Sequence, residues 1–172
     1  MSAPMRKELS KVFVTVGTTS FDKLIETVTT EEICRILHKR GCKTLQLQVG
    51  AGEDIPSSEN ICGVTVEHFK FKPSISEDIK SADLIISHAG AGSVLESLGA
   101  GKLLVVVINE ELMNNHQIEL AQQLHKDGHL VYATCRTLGR VLEETDFSTM
   151  KRFEPGKPEM FAAFLDRVMG IS

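Results

Sequence analysis

The chain has 172 residues, 42% hydrophobic and 24% charged, which suits one globular domain with a full sheet-and-helix core and leaves two independent domains cramped. Its 19 basic and 23 acidic residues give a formal net charge of -4, so nothing favours a nucleic-acid backbone or an anionic membrane surface as partner. Four cysteines lie apart with no Cys-x-x-Cys pair, Met1 to Lys11 lacks the apolar core of a secretory signal, and the longest apolar run, Leu103 to Ile108, falls far short of the roughly 20 residues a membrane-spanning helix needs; the composition reads as cytosolic, with reduced thiols.

From Lys11 onward short β-branched runs alternate with helical stretches, the pattern of a doubly wound, mostly parallel α/β sheet covered on both faces. Residues 1–10 read as a flexible N-terminus. Lys11 to Val16 is the first strand, followed by Gly17-Thr18-Thr19-Ser20 and two helical segments, Phe21 to Val28 and Glu31 to Arg40, the second stopped by Gly41. Thr44 to Val49 is the second strand. Gly50 to Gly63, rich in Gly, Ser, Asp and Pro, reads as a surface loop before a third strand, Val64 to Phe69. A short helix (Ser74 to Ser81), a fourth strand (Asp83 to Ser87), a helix (Gly92 to Leu98) and a fifth strand follow. That fifth strand, Leu103 to Ile108, is apolar throughout and is placed at the centre of the sheet. Asn114 to Lys126 is helical and stopped by Gly128; His129 to Thr134 is the last strand and Leu138 to Thr145 a weaker helix. Beyond Pro155-Gly156-Lys157-Pro158, a closing helix over 158–172 sets Phe161, Phe164, Leu165 and Val168 on one stripe, which must pack on its own core or on a partner.

In a doubly wound sheet ligands bind beyond the carboxyl ends of the strands, and three polar clusters fall there: Gly17 to Ser20, Ser87 to Glu96, and Asn109 to Gln117. Two are glycine-bearing strand-to-helix turns, whose backbone N–H groups and helix dipoles suit a phosphate or diphosphate, with Thr18, Thr19 and Ser93 as added hydroxyl donors. Gly90-Ala91-Gly92-Ser93-Val94-Leu95 lacks the third glycine of the dinucleotide pattern, and no glycine-rich loop ends in Gly-Lys-Ser or Gly-Lys-Thr, which disfavours a dehydrogenase or a P-loop NTPase. Each glycine taken singly is equally an ordinary turn residue.

Glu96 has two readings on spacing alone. One turn into its helix, it could accept both hydroxyls of a ribose; with Ser93 at the N-cap, Ser93-Val94-Leu95-Glu96 would instead be a capping box. Asn114, Asn115, His116 and Gln117 open the next helix and could reach a polyhydroxylated ligand or serve as a plain helix start. Ser87 and His88 are strand neighbours facing opposite ways, so they form no nucleophile-and-base dyad. His125 and His129 are separated by the helix-ending Gly128, and the cysteines are dispersed, so no metal is expected.

Ser87-His88-Ala89-Gly90-Ala91-Gly92-Ser93 and Asn109-Glu110-Glu111-Leu112-Met113-Asn114-Asn115-His116-Gln117 carry a family resemblance, as do Val12 to Phe21 and Leu124 to Leu130. The sequence resembles the cytosolic subunit of the two-protein UDP-N-acetylglucosamine transferases that place the second sugar on the dolichol-linked precursor of N-glycosylation. More distantly it is similar to the carboxyl-terminal half of the bacterial GT-B enzyme that adds N-acetylglucosamine to a lipid-linked cell-wall precursor. The resemblance implies a single GT-B C-terminal-type domain over 11–157 that binds UDP-N-acetylglucosamine. It implies a membrane-anchored partner that brings the dolichol-linked acceptor and recruits the chain to the cytosolic face of the endoplasmic reticulum. It also implies inverting transfer with no cofactor and no catalytic metal.

Carried across residue by residue, Gly17, Thr18 and Thr19 match the turn near the diphosphate, and Gly90, Ala91, Gly92 and Ser93 the second phosphate-facing helix start. Glu96 matches the ribose-binding glutamate, and Asn115, His116 and Gln117 the segment facing the donor sugar. His88 and His116 are the candidates for the general base, which could equally come from the partner. The motifs carrying the resemblance give no counterpart for the segment from Leu138 to Lys157, and Leu103 stands where relatives often have proline. A non-catalytic UDP-sugar-binding module and a nicotinamide- or adenine-nucleotide-binding domain are the alternative readings.

Overall fold

Lys11–Thr15 (β1) buries Val12, Phe13 and Val14 completely. A strand with both faces covered and a polar backbone must also pair on both edges. It does: β1 pairs in parallel with Thr44–Gln48 (β2) on one side and Leu84–His88 (β5) on the other. The computed structural model describes residues 8–17, 21–50, 59–89, 91–109 and 115–151. Within them the sheet has seven strands in the order β3-β4-β2-β1-β5-β6-β7, where β3 is Glu59–Ile61, β4 Val64–Phe69, β6 Leu103–Ile108 and β7 Val131–Thr134. All pairings are parallel except β3 with β4.

The helices are Asp22–Val28 (α1), Glu31–Lys39 (α2), Ser76–Ser81 (α3), Ala91–Gly99 (α4), Asn115–Lys126 (α5) and Leu138–Glu144 (α6). α2 shows why such sequences fold where they do. Thr30 caps its start, accepting from the Ile33 N–H at 3.3 Å; acidic Glu31 and Glu32 sit in the first turn and His38 and Lys39 in the last, matching the helix dipole. Ile33, Cys34 and Leu37 form its buried stripe. The helix stops where Gly41 takes a φ of 91°, a left-handed conformation that favours glycine.

One apolar layer lies between the sheet and α1, α2 and α6, containing Val12, Val14, Leu45, Leu47, Leu84, Ile86, Val105 and Val107; the other, with Phe13, Ile85, Leu104 and Val106, packs against α3, α4 and α5. The segment past Leu138 closes the first layer. Leu138, Leu142 and Phe147 are buried, and Arg40, at the end of α2, donates to the Leu142 and Thr145 carbonyls at 3.0 and 2.7 Å with its guanidinium 4.8 Å from the Phe147 ring centroid. A cation thus satisfies the exposed carbonyl end of α6. Among the described residues no helix is long and apolar enough to cross a membrane.

Two sequence-based expectations are corrected. The stretch 50–63 is not loop throughout: Glu59–Ile61 forms the antiparallel edge strand β3, joined to β4 by the two-residue turn Cys62-Gly63, with φ of 49° and 92°. That paired left-handed geometry matches the right-handed twist of the flanking strands, and the Asn60 side-chain carbonyl accepts the Gly63 N–H at 3.0 Å to brace it. The centre of the sheet is β1, not Leu103–Ile108, which is second from the β7 edge. An all-apolar run reports helices on both faces rather than a middle position. The closing helix and its stripe lie outside the described residues.

Candidate functional site

The strand order puts β1, β5 and β6 side by side, so the three polar clusters that leave their carboxyl ends share one edge of the sheet. Two of them touch. His88 ends β5 half-buried, and its Nε2 lies 3.4 Å from Ser93 Oγ in the first turn of α4. Gly17, just past β1, completes the group: a Cβ built there would stand 2.8 Å from His88 Nε2, 3.3 Å from its Cε1 and 3.7 Å from Ser93 Oγ. With φ at 65° as well, any side chain at this position would be strained on two counts.

Burial pushes the His88 imidazole below its ordinary value of 6.5, because desolvation penalises the charged form. The ring is therefore neutral at pH 7, with one nitrogen free to accept. Ser87, one residue earlier, faces the other way: it is fully buried and its hydroxyl donates to the His88 carbonyl at 2.8 Å. The partner of His88 is Ser93, five residues on.

Gly17 does not offer its own amide to a ligand, since its N–H donates inward to Thr15 Oγ1 at 3.0 Å. What it supplies is room for His88. Ser93 is the third residue of α4 rather than its cap, and its carbonyl accepts from Ser97 Oγ at 2.8 Å. The capping-box reading of Ser93 and Glu96 therefore fails: Glu96 is exposed, and its Oε1 accepts from Ser76 Oγ, at the start of α3, at 3.4 Å. The carboxylate is left on the open side of the site.

Thr18, Thr19 and Gly90 lie outside the described residues. Ala91 and Gly92 open α4, and Asn115, His116 and Gln117 open α5, placed by their backbone at the carboxyl edge of the sheet. Neither His125 nor His129 joins this edge: His125 Nδ1 lies 3.0 Å from the Leu130 carbonyl, with its ring edge-on to Tyr132, and His129 Nδ1 lies 3.2 Å from the Lys151 carbonyl. Burial raises the thiols of Cys34 to about 11 and Cys42 to about 12, which leaves them protonated and unreactive at neutral pH.

Sequence reasoning missed Phe71. Two residues beyond β4 and just ahead of α3, it is 55% exposed, in a chain whose other described large apolar side chains are covered. Its signal was available: an aromatic between two lysines, Lys70 and Lys72, at a strand exit followed by Pro73. Lys72 is held over the Phe69 ring at 4.3 Å and bonded to Asp78 Oδ1 at 2.9 Å, so Phe71 is the aromatic left facing out.

The family model for the Glycosyltransferase family 28 C-terminal domain matches residues 11–163. The chain is 55% identical over 130 residues to the UDP-N-acetylglucosamine transferase subunit ALG13 of Mus musculus, covering 76% of this chain and 11% of the relative. It is 40% identical over 119 residues to the subunit of the same name from Yarrowia lipolytica, covering 68% of this chain and 61% of that protein. The chain thus spans about a tenth of the mouse relative's length. Among solved structures, an NMR solution structure of ALG13 superposes with a TM-score of 0.71 at 26% identity, covering 96% of this chain and 98% of that one. Acinetobacter baumannii MurG shares the fold, with a TM-score of 0.60 at 19% identity over 98% of this chain and 47% of that one.

Proposed function

Because the chain belongs to the glycosyltransferase family 28 C-terminal domain family, we propose that it is the donor-binding subunit of an N-acetylglucosaminyltransferase. The donor is UDP-N-acetylglucosamine. The acceptor is the 4-hydroxyl of N-acetylglucosaminyl-diphosphodolichol, brought by a membrane-anchored partner at the cytosolic face of the endoplasmic reticulum. The observation that carries this reading is the convergence of Gly17, His88 and Ser93 at neighbouring strand tips. A neutral imidazole, a hydroxyl and the start of α4 meet there, with the His88 ring packed directly against the Gly17 backbone, a set of polar groups that suits a diphosphate.

In this reading Gly17, Thr18 and Thr19 line one side of the diphosphate and Gly90, Ala91, Gly92 and Ser93 the other. Glu96 takes the ribose hydroxyls, for which an exposed carboxylate across from Ser76 is well placed, and Phe71 offers an aromatic face to the uracil. Asn115, His116 and Gln117 face the sugar. The helix start and polar donors stabilise the leaving UDP in place of a metal ion, and a single in-line attack by the deprotonated acceptor hydroxyl, opposite the departing UDP, inverts the anomeric carbon. His88 and His116 are the candidates on this chain for the base that deprotonates the acceptor, and the neutral state of His88 meets the first requirement for that role.

Calorimetric titration of the full chain with UDP-N-acetylglucosamine, in the presence of a chelator, tests the donor site. Binding of UDP species but not of NAD or ATP is the expected result, and the reverse order sinks the assignment. Reconstitution with the membrane partner, a lipid-linked acceptor and labelled donor tests the transfer, with labelled disaccharide as the expected product.

A further inference from the structure

Below the strand tips, on the α3–α4–α5 side, runs a buried polar row. Thr15 pairs with Gln48 in β2 and with Ser87 in β5, and registered residues of parallel strands point to the same face. Thr15 and Ser87 are 0% exposed and Gln48 5%. Burial alone would select aliphatic residues here, as it does one step earlier with Val14, Leu47 and Ile86 on the opposite face. A hydroxyl and an amide at such depth are tolerated only where they bond each other.

The bonds run in one direction. The Thr15 hydroxyl donates its single proton to Gln48 Oε1, which leaves its lone pairs to accept the Gly17 N–H at 3.0 Å. The Gly17 amide is thereby tied down in the turn whose missing Cβ makes room for His88 and Ser93.

We propose that Gln48 and Thr15 are positioning residues of the nucleotide site: their hydrogen-bond relay sets the Gly17 turn, and through it the seat of the His88 ring against Gly17, beside which the β-phosphate binds. The proposal rests on the donor-site reading above. It differs from a role in stability because replacing both members of a buried polar pair by apolar groups of similar shape is nearly neutral for folding, whereas removing one leaves its partner unsatisfied.

The test uses the full chain, a Thr15→Val/Gln48→Met double variant and Thr15→Ser, which keeps the hydroxyl. Three readouts are taken: melting temperature, Gly17 amide exchange by NMR, and affinity for UDP against UMP. In the double variant the melting temperature stays put, Gly17 exchange quickens, and UDP affinity falls about tenfold while UMP affinity holds, since only the β-phosphate reaches the turn. Thr15→Ser keeps wild-type behaviour. Unchanged Gly17 exchange in the double variant overturns the relay. A parallel loss of UDP and UMP affinity together with a lower melting temperature overturns the positioning role and makes the row structural. A wild-type chain that binds neither nucleotide overturns the donor reading and this proposal with it, and Gly17 exchange, which responds to the hydroxyl with or without a nucleotide, tells that failure from failure of the relay.

Discussion

The two faces of the sheet are built from alternate residues of the same strands, yet they differ in kind. On the α1–α2–α6 face the fully buried side chains of β1, β2, β5 and β6 are aliphatic: Val12 and Val14, Leu45 and Leu47, Leu84 and Ile86, Val105 and Val107. On the other face the same strands carry Thr15, Gln46, Gln48 and Ser87 among Phe13, Ile85, Leu104 and Val106. Gln46 donates to Asp78 Oδ1 at 3.0 Å, an acceptor shared with Lys72. The first face behaves as a packed hydrocarbon layer in which volume decides stability. The second accepts polar groups at depth, and the polar residues nearest the carboxyl ends of the strands connect upward into the site.

The sharpest way to break this contrast is to cut the aliphatic face and the strand-tip site in turn. Ile86→Ala, on the aliphatic face, is expected to cost about 2–5 kcal/mol in denaturant unfolding while leaving the UDP affinity of the folded fraction intact. Gly17→Ala comes next. It forces a Cβ to 2.8 Å from His88 Nε2 and puts a side chain in a left-handed turn, so UDP affinity should drop tenfold or more, with a loss of stability of about 1–2 kcal/mol. If Ile86→Ala weakens UDP binding as strongly as Gly17→Ala does, the division of labour between the faces is wrong.

How far the sequence discloses this architecture follows the same division. Aliphatic runs such as Leu103–Ile108, and glycine stops such as Gly41 and Gly128, mark strands and helix ends because local chemistry decides them. Residues 59–61 carry no periodicity, and they are a strand only because a two-residue turn folds them back on β4. The strand order, which brings the tips of β1, β5 and β6 together, is a property of the whole chain. The glycine-bearing turns are legible in the sequence as candidates; the pairing of His88 with Ser93 needed the exit geometry of β5 into α4. Thr15 and Gln48 were illegible as support, since a polar residue in a strand reads as one that faces water.

Glu96→Ala sharpens the contrast further. Glu96 is exposed and its carboxylate accepts a long hydrogen bond from Ser76, at 3.4 Å, so its removal should leave the melting temperature in place. Loss of two charge-assisted hydrogen bonds to a ribose should still weaken UDP binding about tenfold or more. A fall in melting temperature with unchanged UDP affinity would return Glu96 to a purely structural role.

The smallest effect concerns the proton on His88. Burial holds its folded pKa below 6.5, so as the pH falls through 6.5 the unfolded chain takes up a proton that the folded chain refuses. The stability that His88 contributes is complete above 6.5, is lost progressively down to the folded pKa, and levels off once both states are protonated. Denaturant titrations across this window should show the slope in the wild type and a flatter curve in His88→Gln. Bound UDP should act in the opposite sense, because a diphosphate beside Nε2 favours the charged ring; the imidazole followed by NMR should then titrate at higher pH with UDP than without it. An imidazole that titrates at the same pH with and without saturating UDP would separate His88 from the nucleotide, and leave its contact with Ser93 as packing beneath Gly17.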